Sequence, residues 1–137
     1  MNLISKEIDI DDCVPYDGGF TGGKAKWRRT ESPMYPKVKA SLKRDGMINP
    51  LWVFELPGGK YRIAKGCCRA VAAWDLLKEG DERFRKLKVL CAPIGMERRD
   101  ANRQFRASDY EENIPMLDGH GKEIEEDGKV KYFPKGF

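Results

Sequence analysis

A strand that turns into a helix through a single glycine is the feature that most constrains how this chain folds. Residues 61–64 alternate between apolar and polar side chains, as in a strand with one buried face. Gly66 follows, and apolar residues then recur at helical spacing from position 67 to position 77. The first turn of such a helix exposes backbone N–H groups and the positive end of the helix dipole. Because Arg69 lies in this turn and Gly66 permits close approach, the junction predicts an anion-binding site. The alternative is an ordinary strand-to-helix turn with a solvent-facing arginine.

The rest of the chain alternates short strand patterns with helical patterns, each bounded by glycine, proline or aspartate. The order predicted from these patterns is a strand near 4–10, a helix between Ser32 and Gly46, a strand from 51 to 54, a turn at 57–59, a strand from 61 to 64, a helix from Gly66 to about 79, a strand from 87 to 92 and a polar helix over 96–113.

This order predicts an α+β fold, with a small mixed sheet and flanking helices in a core domain of residues 1–95. Residues 96–137 are expected to form a C-terminal appendage made of the polar helix and an acidic hairpin. The Asp127-Gly128 pair, between two short charged segments, is typical of a two-residue hairpin turn.

Charge is distributed unevenly along the chain, although the formal net charge is only +4. Residues 24–44 hold eight bases and one acid, which gives +7, whereas residues 107–137 are acidic. A basic segment that contains an aromatic residue can bind phosphates and stack a base, so it predicts a nucleic-acid surface. The alternative for the basic segment as a whole is an ordinary solvated surface. For Trp27, the alternative is an exposed basic loop in which the indole packs against the core. The residues assigned to nucleic acid are Lys24, Lys26, Trp27, Arg28 and Arg29, with Arg99, Arg103 and Arg106 on one face of the polar helix.

Several classes of protein are not expected from this composition. No apolar run approaches the ~18 residues of a membrane span, and the acidic start is unlike a signal peptide. We therefore expect a cytoplasmic protein without a membrane partner. The chain has four cysteines without a CxxC spacing and one histidine, so no metal site is assigned and reduced thiols are expected.

A second glycine-rich segment, GGFTGGK at residues 18–24, matches the spacing of a P-loop. Ala25 follows where a P-loop has the hydroxyl that binds Mg²⁺, and no helix is expected after it, because Ser32-Pro33 follows closely. The segment is therefore expected to be a loop other than a P-loop.

Two segments carry a resemblance to a known family: LKRDGMINPLWV at residues 42–53 and YRIAKGCCRAVAAW at residues 61–74. Together with the opening strand and Ile10–Pro15, they resemble the ParB/sulfiredoxin-like domain, also called the ParB-like nuclease domain. The resemblance extends to about Ala92. Gly66 and Arg69 match the glycine and arginine that the family shares. Cys67 stands where ParB proteins have a glutamate and sulfiredoxins have their catalytic cysteine.

The resemblance implies a nucleotide site, since relatives with this fold bind CTP or use ATP or ADP, with Mg²⁺ as a possible companion. Glu112-Asn113 matches the start of a second ParB element that contacts the nucleotide. The residues implied in phosphate binding are Lys65, Gly66, Cys67, Cys68, Arg69, Glu112 and Asn113.

Three functions remain open. The first is a nucleotide- or nucleic-acid-binding protein, as an accessory protein of a phage, plasmid or other mobile element would be, with nucleotide or DNA as partner. The second is an enzyme, either a metal-dependent nuclease or a phosphotransferase or ATPase, with Asp17 and Cys67 as catalytic candidates. The third is an inhibitor or structural protein that binds a protein partner through its C-terminal extension.

Cys67 itself has two interpretations. A thiol at a helix start near Lys65 and Arg69 would have a lowered pKa and act as a nucleophile. Alternatively, the side chain packs inward as a small apolar group, which is the interpretation we favour.

Overall fold

The computed structural model describes residues 1–111 and 118–131 of the chain. The chain divides into two compact units, Met1–Met96 and Glu97–Phe137. None of the helices in the described part of the chain is long and apolar enough to cross a membrane.

The first unit is built on a five-stranded mixed sheet with the strand order β1-β5-β3-β4-β2. The β3–β4 hairpin lies beside β5, which runs parallel to β3, while β1 closes one edge antiparallel to β5. The strands are β1 (Ile4–Asp9), β2 (Cys13–Val14), β3 (Leu51–Leu56), β4 (Lys60–Lys65) and β5 (Lys86–Ala92).

Three helices flank this sheet: α1 (Gly23–Glu31), α2 (Met34–Asp45) and α3 (Cys67–Lys78). The core forms between the sheet and the helices, because strand residues such as Val53 and Val89 are buried together with Val71 and Leu76 of α3. The prediction of an α+β fold with a small mixed sheet and flanking helices is therefore confirmed.

Helix α1 was not expected, and the prediction that no helix follows the glycine-rich loop is wrong. Its sequence is strongly basic, and its N-cap residue Gly22 has no side chain to accept a hydrogen bond from the first turn. Local signals for a helix are therefore weak. Tertiary contacts hold it instead: Ala25 is fully buried, and Arg29 forms an ion pair with Asp75 of α3. The preceding loop is also anchored, because the Phe20 ring stacks on Trp74 with centroids 5.3 Å apart.

The second unit contains helix α4 (Arg98–Glu111) and a short hairpin of β6 (Glu125–Glu126) and β7 (Lys129–Val130). Asp127 and Gly128 both have positive φ angles, 53° and 76°, as a type I′ turn requires. Glu126 lies opposite Lys129 across the turn. Within the described residues, this unit therefore contains one helix rich in charged residues and one short hairpin.

Candidate phosphate-binding site

Gly66 occupies the junction between β4 and α3, and the structure shows why a glycine stands there. Its φ of +105° is a left-handed conformation that side-chain-bearing residues rarely adopt. A Cβ at this position would lie 2.4 Å from Leu51 Cδ2 and 2.9 Å from Arg69 Nη2. The backbone turn and the packing around it therefore require a glycine, independently of any ligand.

Arg69 lies in the first turn of α3 and folds back towards Gly66. Its Nη1 donates a hydrogen bond of 2.7 Å to the backbone carbonyl of Asn49, in the loop between α2 and β3. This contact orients the guanidinium at the corner where α2, β3 and α3 meet. The anion-binding geometry predicted for the junction depends on this arginine.

A groove of about 210 Å³ adjoins this corner, and Arg69 forms part of its lining. Helix α2 contributes Lys37 and Ser41, which lie four residues apart and so share a face of the helix. Val38 and Leu42 supply an apolar part of the lining. The surface of the groove is mostly apolar, and two cationic side chains and one with a hydroxyl lie among the residues that line it. Lys37 and Ser41 were not predicted to belong to the site, although their four-residue spacing places them on one face of the helix that precedes the junction.

Lys65, the residue before Gly66, lies against an aromatic ring. Its Nζ is 4.2 Å from the centroid of the Trp52 ring, a cation–π contact between adjacent strands. The ammonium group is therefore positioned over Trp52 on the sheet, one residue away from the corner.

The two adjacent cysteines at the start of α3 are half-buried. Cys67 Sγ donates to the backbone carbonyl of Pro15 at 3.0 Å. Burial raises the pKa of the Cys67 thiol, and the nearby Arg28 guanidinium offsets this only in part. The interpretation of Cys67 as a thiol of lowered pKa is therefore wrong, because loss of solvent outweighs the positive charges. The pKa of Cys68 is raised for the same reason. Cys67 packs against the core, as the favoured interpretation held.

Four aspartates near the N-terminus each lie close to a basic side chain. Asp17, the candidate catalytic acid, is 3.3 Å from an Nη of Arg62, and both side chains are exposed. Three further aspartates pair with bases of the sheet or of the turn before β5: Asp9 with Lys86, Asp11 with Arg85 and Asp12 with Lys60. Within residues 1–111 and 118–131, no group of three histidine, cysteine or acidic side chains is arranged to hold a metal ion. Glu112 and Asn113 lie outside the described residues.

The basic residues of α1 fall into two groups. Arg29 Nε donates to Asp75 at 2.8 Å, and Arg28 donates to the Tyr16 hydroxyl and to Ser32. These guanidinium groups therefore help to hold the fold together. Lys24, Lys26 and Trp27 are exposed, with Trp27 53% accessible. The alternative in which Trp27 is tucked against the core is therefore wrong.

The predicted arginine face of the polar helix lies on α4, in the second unit. Arg103 forms an ion pair of 2.9 Å with Asp100, one turn earlier on the same helix. Arg106 Nε donates to the Asn102 carbonyl at 3.4 Å. Arg99 lies in the first turn of this helix.

The chain is similar to the C-terminally truncated chromosome-partitioning protein ParB from Caulobacter crescentus, which was crystallised with CTP-gamma-S. The sequences are 14% identical, the TM-score is 0.49, and the match covers 79% of this chain. The match covers 53% of the ParB chain, about half of its length. No protein-family model matches the sequence, and no curated protein matches it.

Proposed function

We propose that this protein binds the phosphate groups of a nucleotide in the groove between α2 and the start of α3. The observation that carries the proposal is that Lys37, Ser41 and Arg69 line one groove beside the strand-to-helix junction. Two of these side chains are cationic and the third has a hydroxyl that can donate to a phosphate oxygen. The resemblance of residues 42–53 and 61–74 to the ParB/sulfiredoxin-like domain supports the same ligand class.

The chemistry of the groove favours an organic phosphate over a bare anion. The guanidinium of Arg69 is a planar group with five N–H donors, a geometry suited to paired contacts with phosphate oxygens. Lys37 adds a point charge, and Ser41 adds a neutral donor. Val38 and Leu42 form an apolar surface that suits the carbon skeleton of a sugar.

The size of the groove limits how much of a ligand it encloses. Its volume of about 210 Å³ is below the range of roughly 300–1,000 Å³ that encloses a drug-sized molecule. We therefore expect the phosphate chain and part of the sugar to occupy the groove, with the base lying outside it.

The proposal is tested by thermal melting with CTP, ATP and ADP, each with and without Mg²⁺. A ligand at a hundred times its dissociation constant stabilises a protein by about 2.7 kcal/mol, which corresponds to a rise of roughly 8 °C for a chain of this size. At least one nucleotide should raise the melting temperature of the wild type.

Three variants show whether the groove is responsible. Arg69→Ala and Lys37→Ala should each lose most of the nucleotide-dependent rise, measured from the variant's own baseline. Lys43→Ala is the matched control, because Lys43 is also on α2 but lines a separate groove with Lys39 and Glu79. The proposal is wrong if no nucleotide raises the melting temperature, or if Lys43→Ala weakens the response as much as Arg69→Ala.

A further inference from the structure

Helix α1 presents a large aromatic side chain to solvent. Trp27 is 53% exposed, whereas tryptophan side chains are usually buried for most of their surface. Such exposure forgoes much of the stabilisation of burying the indole ring and leaves its surface accessible to a ligand.

The indole is nevertheless held in place. The Arg28 guanidinium lies over the Trp27 ring, with Cζ 5.2 Å from the ring centroid. Arg28 is itself fixed, because its Nε donates to the Tyr16 hydroxyl at 3.1 Å and its Nη1 donates to Ser32 Oγ at 3.2 Å. A ring supported in this way loses little freedom when a ligand stacks on it, which favours binding.

Gly23 leaves the surface of α1 without a side chain one turn before Trp27. Helical side chains lean towards the N-terminus, so Trp27 lies over the turn that contains Gly23. A Cβ placed on Gly23 would have no heavy atom within 4 Å. Lys24 is three residues before Trp27 and shares its face, and Lys26 is exposed next to it. The exposed indole of Trp27 therefore lies between two exposed lysines on α1, with Lys24 on its own face and Lys26 on the neighbouring face.

We propose that this surface, formed by Gly23, Lys24, Lys26 and Trp27, binds single-stranded nucleic acid. An unpaired base stacks on the indole of Trp27, and Lys24 and Lys26 contact the phosphates on either side of it. A single strand fits this surface because its bases expose their flat faces, whereas in a duplex those faces are covered by neighbouring base pairs. The surface shares no residue with the groove of Lys37, Ser41 and Arg69, so either site can exist without the other.

Fluorescence anisotropy with a labelled oligothymidylate of about twelve nucleotides tests this proposal. Loss of a stacked base should weaken binding by about tenfold in Trp27→Ala and in Trp27→Leu, while Trp27→Phe should retain most of the affinity. Ile94→Ala is the matched control, because Ile94 is also 53% exposed, and it should bind like the wild type. Lys24→Ala and Lys26→Ala should each reduce the salt dependence of binding by about one ion, whereas Lys88→Ala on the sheet should not.

Two outcomes would overturn the proposal. The first is that folded Trp27→Ala and Trp27→Leu bind the oligonucleotide within twofold of the wild type. The second is that a duplex of the same length binds as tightly as the single strand and is weakened as much by Trp27→Leu. A melting curve for each variant establishes that it is folded, and Trp27→Phe separates loss of stacking from loss of packing.

Discussion

The carboxylate of Asp75 joins all three helices of the first unit, and its removal is the perturbation with the clearest expected cost. Asp75, on α3, accepts a hydrogen bond from Arg29 Nε of α1 at 2.8 Å and another from the Tyr35 hydroxyl of α2. The side chains of Arg29 and Asp75 are only 23% and 16% exposed. If either side chain is removed, water therefore replaces the lost hydrogen bond of the other only poorly.

The expected loss of stability on removing the Asp75 carboxylate follows from the number of its hydrogen bonds and from their burial. Asp75→Ala removes two hydrogen bonds to a charged acceptor, each contributing about 1.5–3 kcal/mol, and leaves the Arg29 guanidinium without its counter-charge. Partial access to water reduces this sum, so we expect a loss of about 3 kcal/mol in the free energy of unfolding. That loss corresponds to a fall of roughly 9 °C in melting temperature. Asp75→Asn keeps the shape and one acceptor for Tyr35, and should cost about 2 kcal/mol.

Urea unfolding followed by circular dichroism measures this cost, with Glu79→Gln as the matched control. Glu79, the residue directly after α3, forms an ion pair of 2.6 Å with Lys39 of α2, but the two side chains are 56% and 30% exposed. An exposed pair contributes at most about 1 kcal/mol, so the control should lose little stability. The reasoning fails if Asp75→Asn and Glu79→Gln are destabilised equally, or if Asp75→Ala unfolds at the urea concentration of the wild type.

Two further predictions concern the start of α3. Gly66→Ala should destabilise the fold by about 2 kcal/mol or more, because its left-handed backbone disfavours a side chain and the new methyl group would meet Leu51. Gly23→Ala is the control, because its methyl group meets open space at the start of α1, and it should leave the free energy of unfolding unchanged or raise it. Calorimetry measures both variants, and equal losses of stability would contradict this explanation. Alkylation of Cys67 by iodoacetamide, followed by mass spectrometry in a Cys68→Ala background, should have a pH midpoint above that of a free thiol, since burial raises its pKa. A midpoint below neutrality would instead identify a reactive thiolate.

The elements that sequence reasoning predicted well are those with local start and stop signals. Helix α2 begins directly after Pro33 and ends at Gly46, whose φ is +75°, so both ends are marked by residues with restricted or special backbone geometry. The β3–β4 hairpin and the turn at Asp127 and Gly128 are marked in the same way. Helix α1 lacks such signals. It is held by the contact of Arg29 with Asp75, 46 residues later, which the sequence of α1 alone does not predict.

The candidate site was only partly predictable for the same reason. Gly66 and Arg69 lie in one short segment, so the strand-to-helix pattern identified both. Lys37 and Ser41 join them only because α2 packs beside α3, which is a tertiary contact. The pKa of Cys67 is likewise set by tertiary structure, because burial raises it by more than the Arg28 guanidinium, 39 residues earlier in the chain, lowers it.

The most direct test of phosphate binding in the groove is to record the backbone amide resonances of the protein while a nucleoside triphosphate is added. The proposal predicts that the amides of residues 66–69 and of α2 near Lys37 and Ser41 shift together along one saturating curve, and that Arg69→Ala removes this response. Resonances of residues 66–69 that do not move at millimolar nucleotide, or shifts confined to other parts of the chain, would contradict the proposal.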